Sequence, residues 1–266
     1  MIYLNEKLSS AMASEDAFAF FEKKQGRVYR ELEGRTTKRI EIEGSAYFVK
    51  LHHGVGWAEI FKNLLQLRAP VISAGNEWRA LDRLRTLGVD TMNVVGFGSK
   101  GVNPARIHSF VITEELPDTV SLEEFCGDWE NNKPPVKLKW KLIEKVADIS
   151  RTMHGSGICH RDFYICHFLL HRSSISADAG REPRLSLIDL HRALVKRKLG
   201  RRWIEKDLAG IYFSSMDIGL TERDRLRFVR HYASHDLRSS IIQERAFWKR
   251  VTTKARALYK KVNEKR

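Results

Sequence analysis

The sequence predicts an α+β protein of two lobes, a small antiparallel β-sheet lobe with one key helix and a larger, mostly helical lobe. Three observations carry this. Short β-branched and aromatic runs, separated by glycines, fill the stretch from Val28 to Thr113. A single strong helical pattern with an acidic first turn, Asn76 to Leu84, interrupts them. Beyond Pro117 the apolar period changes to three and four residues. The length of 266 residues suits one two-lobed domain with a sizeable core, and 42% hydrophobic with 30% charged residues is an ordinary globular composition.

In the first lobe, residues 1–26 are weakly patterned, with a short capped helix expected from Ser14 to Phe21. Val28–Leu32, Thr36–Ile42 and Ser45–Leu51 read as a three-stranded meander, with Gly26, Gly34 and Gly44 at its turns. Trp57–Leu67 has helical spacing and is closed by Pro70; the helix from Asn76 to Leu84 is capped by Gly88. Met92–Phe97 and His108–Thr113 complete a five-strand lobe, and Glu114-Glu115-Leu116-Pro117 is an extended connector. The lobe is therefore bounded as residues 1–116.

The second lobe, residues 117–238, opens with a capping box in which Ser121 faces Glu124. Leu138, Leu142, Ile143, Val146, Ile149 and Met153 mark a long amphipathic helix over 137–153. Polar residues 171–184 read as a loop joining two paired strands, and 207–216 and 221–231 read as helices. Residues 239–266 read as one basic amphipathic helix, with nine Lys or Arg, two Glu and a partial apolar face. It is expected to lie on an anionic membrane or to dock on its own domain.

The formal net charge of +14 calls for an anionic partner. No apolar run is long enough to span a bilayer, and the N-terminus has no secretory pattern. Three cysteines, Cys126, Cys159 and Cys166, with no CxxC pair, fit a reducing cytosol. Cys159 and Cys166 read as small buried residues.

The chemistry concentrates in His160-Arg161-Asp162 and Leu187-Ile188-Asp189. Asp162 and Asp189 lie 27 residues apart, each beside an apolar strand-like run. Phosphoryl transfer from a nucleotide needs such a pair, one to orient the acceptor hydroxyl and one to hold magnesium. Lys50, at the end of the third strand, suits nucleotide phosphates, though a solvated edge lysine would have the same pattern. Glu77 either complements its helix dipole or pairs with Lys50. The run Lys196, Arg197, Lys198, Arg201, Arg202 follows the second carboxylate and is a candidate acceptor-binding surface.

The order Lys50, Glu77, Thr113-Glu114-Glu115-Leu116, His160-Arg161-Asp162, Asp189 resembles the protein-kinase-like fold. Local runs resemble the lipopolysaccharide core heptose(I) kinases of Gram-negative bacteria. These are Tyr29-Arg30-Glu31-Leu32-Glu33, Tyr47-Phe48-Val49-Lys50, Tyr164-Ile165-Cys166-His167-Phe168-Leu169-Leu170-His171, Ile188-Asp189-Leu190-His191-Arg192-Ala193 and Asp217-Ile218-Gly219-Leu220. The resemblance implies transfer of the ATP γ-phosphate to a hydroxyl of the first inner-core heptose, with ATP and Mg2+ required. It implies Asp162 as catalytic base, Lys50, Glu77, Glu115 and Leu116 as nucleotide-binding residues, and Asp189 with His167 at the metal. The implied partners are the anionic inner core, an anionic membrane surface and an acidic protein, and not nucleic acid. The implied location is the cytoplasm, peripheral on the inner membrane.

Departures from the wider kinase pattern narrow the substrate. Leu32-Glu33-Gly34-Arg35-Thr36-Thr37-Lys38 has one glycine where protein kinases have three. His167 stands where they place a metal-binding Asn; it is expected either to bind metal weakly or to position Asp162 or a phosphate. Tyr164 replaces a lysine, and Leu190-His191 replaces Phe-Gly. These favour a small-molecule or glycolipid acceptor over a protein, the first rival. The second rival, a non-catalytic basic module, leaves the ordered catalytic residues as coincidence.

Overall fold

The computed structural model describes residues 1–13, 15–32, 34–65, 70–175, 182–233 and 236–264. Outside them lie Ser14 at the expected helix start, Glu33 in the expected phosphate loop, Gln66 and Leu67 of the expected 57–67 helix, 176–181 of the polar loop and the last two residues of the terminal helix. The chain forms two compact units. One comprises Met1–Arg83, Met92–Leu116 and Leu190–Arg192; the other comprises Leu84–Thr91, Pro117–Asp189 and Ala193–Arg266.

The first unit is built on a six-stranded antiparallel sheet. Its strands are β1 (Ile2–Leu4), β2 (Arg27–Leu32), β3 (Arg35–Ile42), β4 (Ser45–His52), β5 (Val94–Lys100) and β6 (His108–Glu114), in the order β1-β5-β6-β4-β3-β2. The sixth strand, β1, comes from the weakly patterned N-terminus, pairing Tyr3 with Phe97. Two helices follow it: α1 (Glu6–Ala11), where the Asn5 side chain accepts from Leu8 N–H, and α2 (Ala17–Lys23), capped in the same way by Asp16. Alternation along β4 buries Tyr47, Val49 and Leu51 against Leu8, Phe18 and Phe21 of these helices, with Phe110 and Ile112 of β6. Lys38 is buried and donates to the carbonyls of Glu22 and Lys24 at 3.0 and 2.7 Å, satisfying the C-terminal end of α2. Two more helices complete this part of the chain, α3 (Gly56–Leu65) and α4 (Gly75–Thr86).

The second unit is mostly helical. It contains α5 (Leu122–Cys126), α6 (Val136–Gly155), α7 (Arg201–Ser214), α8 (Glu222–Ala233), α9 (Leu237–Gln243) and α10 (Arg245–Asn263). Short strands punctuate them: β7 (Thr119–Ser121), β8 (Ile158–Cys159), β9 (Phe168–His171), β10 (Leu185–Leu187) and β11 (Leu194–Val195). β9 and β10 are the two paired strands expected on either side of the polar loop, with Phe168 opposite Leu187.

Two expectations need correction here. Helix α7 begins at Arg201, six residues before the expected start, so Arg201 and Arg202 occupy its first turn rather than a loop. The charge run masks the helix in sequence, because Gly200 starts it in an extended conformation with no side-chain cap. The segment 239–266 is not one helix either. It breaks at Glu244, whose φ of −106° and ψ of 19° leave the helical region and whose carboxylate pairs with Arg201 at 3.0 Å. Beyond the break, Phe247, Val251 and Ala255 are buried against Leu208 and Ala209 of α7. The docked arrangement, one of the two expected for this segment, is the observed one.

Gly157 joins α6 to β8 at φ +82°, and a Cβ there would lie 1.8 Å from the Lys196 carbonyl oxygen. Gly157→Ala is expected to destabilise the protein by at least about 2 kcal/mol, read as a fall in thermal midpoint.

Candidate active site

In the first unit, Lys50 lies on β4 between β3 and β6, so it is not an edge lysine. Strand alternation turns it away from the Tyr47-Val49-Leu51 core face. Its ammonium meets the Glu77 carboxylate at 2.6 Å, and Glu77 is 1% exposed. The first turn of α4 is anchored where the Ser109 hydroxyl accepts from Ala74 N–H at 2.9 Å and Trp78 stacks on Phe97 at 4.6 Å. A buried carboxylate held this way fixes the long lysine side chain in one orientation.

Around Lys50 the unit collects positive charge. His52 is buried two residues on, and its pKa falls to about 3, through burial first and then the charges of Arg35, Lys50 and His191. It is therefore neutral in a field that favours anions. The pKa of Arg35 is lowered by burial and, among its neighbours, by Arg192. The sequence pointed to His191 and Arg192 only within the run that carries the resemblance, and not to His52. Leu190–Arg192 belongs to this unit although it directly follows Asp189. Glu115, a candidate nucleotide residue, has its carboxylate paired to Arg39 at 2.8 and 2.9 Å and its N–H donated to Ala46. Leu116 is the next residue of the chain.

In the second unit, the chain runs from β8 through His160-Arg161-Asp162 into a short 3-10 turn, Ile165–His167, and then β9. The loop is fixed from below by Asp207 of α7. One carboxylate oxygen accepts from His160 N–H at 2.7 Å and the other from Arg161 N–H at 2.9 Å. Desolvation raises the pKa of Asp207, but hydrogen bonding and charge from His154, His160 and Cys159 outweigh it and hold it below the ordinary value. Arg161 has φ +74° and is buried, its guanidinium over the Trp203 ring at 5.8 Å. Gly210 lets the loop settle on α7, since a Cβ there would lie 2.6 Å from the Phe163 carbonyl. In sequence Asp207 is only the first residue of the expected 207–216 helix, directly after Glu205 and Lys206.

His167 lies between the Asp162 backbone and the Asp189 carboxylate. Its Nδ1 lies 2.7 Å from the Asp162 carbonyl oxygen, which can only accept, so Nδ1 carries the proton. That leaves the Nε2 lone pair, 3.6 Å from Asp189 Oδ2. The ring stacks on His160 at 5.3 Å, and His160 Nε2–H donates to the Ile188 carbonyl at 2.9 Å. Asp189 sits at φ +62°, a conformation a non-glycine residue adopts only when its surroundings impose it. A metal-ligating imidazole usually gives its other N–H to a carbonyl, as His167 does. Together, carboxylate and imidazole fit a divalent cation, with Asp189 the harder donor for magnesium.

The remaining candidates are on the surface. Lys196, Arg197 and Lys198 are exposed in the connection to α7; Arg201 and Arg202 are exposed on its first turn, with Arg201 engaged by Glu244. Cys159 is fully buried, which raises its pKa; Cys166 is only half-buried, its thiol pushed up to about 11 mainly by burial. The second unit also contains an apolar cavity of about 350 Å³, lined by Leu142, Val146, Ile211, Phe228, Trp248 and Val251 among others.

Residues 19–232 match the model of the lipopolysaccharide kinase (Kdo/WaaP) family. The chain is 49% identical to the lipopolysaccharide core heptose(I) kinase WaaP of Pseudomonas aeruginosa, over 98% of this chain and 96% of the relative. It is 48% identical to the protein of that name in Escherichia coli K12, over 100% of this chain and 99% of the relative. A solved structure of WaaP in complex with acyl carrier protein superposes with a TM-score of 0.85 at 44% identity, covering 97% of this chain and 99% of that one. The fold is thus α+β and protein-kinase-like, and the chain belongs to the lipopolysaccharide kinase (Kdo/WaaP) family.

Proposed function

We propose that this chain is an ATP-dependent kinase that phosphorylates a hydroxyl of the first heptose of the lipopolysaccharide inner core. The observation that carries the chemistry is the linked set Asp162, His167 and Asp189, and the acceptor follows from the full-length relatives. The Lys50 ammonium, oriented by Glu77, binds the nucleotide phosphates, assisted by the positive field of Arg35, His191 and Arg192. Because the Glu115 N–H and carboxylate are engaged, the nucleotide base meets the Glu115 carbonyl and Leu116. The Asp162 carboxylate accepts a hydrogen bond from the sugar hydroxyl. It takes the proton as the new P–O bond forms and ADP departs. Asp189 and the Nε2 of His167 would hold magnesium, which when bound neutralises phosphate charge. Lys196, Arg197, Lys198, Arg201 and Arg202 neutralise the phosphates and carboxylates of the acceptor.

The test is incubation with labelled ATP and either purified inner-core lipopolysaccharide or a protein extract. Label in the lipopolysaccharide is expected; label confined to protein would overturn the acceptor assignment. Lys50→Ala should lower kcat/KM for ATP by about 10²-fold or more in that assay.

An acidic protein is the second partner we infer. The related WaaP structure contains acyl carrier protein, and here +14 net charge accompanies an apolar cavity with room for an acyl chain. Native mass spectrometry of the purified protein should find an acyl carrier protein bound, released at high salt. The acceptor is a membrane glycolipid, and among the described residues no helix is long and apolar enough to cross a membrane. We therefore place the enzyme peripherally, on the cytoplasmic face of the inner membrane.

A further inference from the structure

Helix α3 leaves most of its apolar stripe exposed. Surface helices bury their apolar stripe and expose their polar one. Along Gly56–Leu65 only Ile60 is buried, where the helix touches the turn at Pro104–Arg106. Trp57, Phe61, Leu64 and Leu65 are 49%, 57%, 51% and 86% exposed. Their spacing of four, three and one places all four within about 100° of the helix circumference. Trp57 and Phe61 stack at 5.8 Å, so the aromatic pair forms one continuous plate. The polar side is satisfied without a partner molecule: the Glu59 carboxylate accepts from Asn63 at 2.8 Å and pairs with Lys62, and its pKa is lowered. Ten residues make a marginal helix in water, and packing of an apolar face is what normally sustains one. Among the described residues, most of this face is left exposed.

We propose that the Trp57-Phe61-Leu64-Leu65 face of α3 inserts into the headgroup region of a phospholipid bilayer and holds the kinase at its glycolipid acceptor. The assignment rests on the reading that the acceptor is a membrane lipid. A bilayer is favoured over a protein groove for two reasons. The plate combines tryptophan, phenylalanine and leucine, the composition that settles at a membrane interface. The chain also carries +14, which draws it to an anionic leaflet and leaves the short apolar row to supply the second anchor. In the C-terminal segment, Phe247, Val251 and Ala255 are spent on α7.

The test uses the full chain and the double variant Phe61→Ser, Leu65→Ser, both sites being exposed. Vesicles of phosphatidylethanolamine and phosphatidylglycerol, without lipopolysaccharide, are sedimented with each protein at physiological salt. Wild type should partition to the vesicles, and the variant should do so at least tenfold more weakly with an unchanged thermal midpoint. Turnover on lipopolysaccharide embedded in those vesicles should fall at least fivefold. Turnover on water-soluble, deacylated core oligosaccharide should stay the same. Equal vesicle binding by both proteins, or none by either, overturns the proposal. So does a wild-type dimer that becomes monomeric in the variant without change in vesicle binding, which would assign the face to a second copy. If neither substrate is phosphorylated, the acceptor assignment fails, while the vesicle result still decides the role of α3.

Discussion

Asp162→Asn is expected to lower kcat by about 10³-fold while leaving the thermal midpoint and the nucleotide affinity close to wild type. The variant removes the base and little else. The carbonyl of residue 162, which receives the His167 Nδ1 proton at 2.7 Å, is backbone and survives the substitution. Asn also has the shape of Asp, so the loop seated on Asp207 has no cause to move. Steady-state kinetics with deacylated core oligosaccharide, alongside a thermal melt and nucleotide titration, separate the cases. A loss of kcat alone is the signature of a group that acts at the reacting hydroxyl. Near-wild-type turnover in a folded variant would remove Asp162 from the chemistry.

Asp207→Ala is expected to cost about 3–5 kcal/mol of stability and to abolish turnover together with it. Two buried backbone N–H groups, of His160 and Arg161, would lose the Asp207 oxygens that accept from them, and the φ of +74° at Arg161 would lose its restraint. His154 depends on the same carboxylate. Its Nε2 lies 3.4 Å from Asp207, and its Nδ1 shares a hydrogen bond with the Tyr232 hydroxyl at 3.0 Å. The pH dependence has a fixed sign. The native pKa of Asp207 is lowered, so its contribution is fully present above the unfolded-state value, about 3.9, and fades as pH falls through the native one. Chemical denaturation between pH 3 and 7 should show wild-type stability falling toward acid and a shallower fall in Asp207→Asn. Parallel curves would show that another carboxylate carries the acid sensitivity.

The sequence disclosed those parts of the site whose chemistry dictates both residue type and order. Lys50, Glu77, Asp162 and Asp189 stand out because a phosphate-binding amine, its orienting acid, a base and a metal ligand leave few alternatives at those positions. The ion pair of Lys50 and Glu77 joins residues 27 apart and was one of two open readings for each. What stayed hidden depends on three-dimensional neighbours. His52 is a lone histidine at a strand end until Arg35, Lys50 and His191 surround it. Asp207 is an acidic residue in a helix until two backbone amides turn toward it. Strand β1 is three residues long, too short for any periodicity, and exists because the edge of β5 accepts it. The exposed row on α3 reads in sequence like any amphipathic helix, because periodicity identifies an apolar face without saying which way it points.

The docking of α10 has a consequence for biosynthesis. Leu208 and Ala209, against which Phe247, Val251 and Ala255 pack, adjoin the carboxylate that seats the catalytic loop. The ribosome delivers α10 well after every residue that contacts nucleotide or acceptor. A nascent or prematurely terminated chain ending before Arg245 would therefore carry all of its chemical groups and still lack the buttress behind them. The contribution of α10 to the proposed reaction is thus packing behind the loop that carries Asp162.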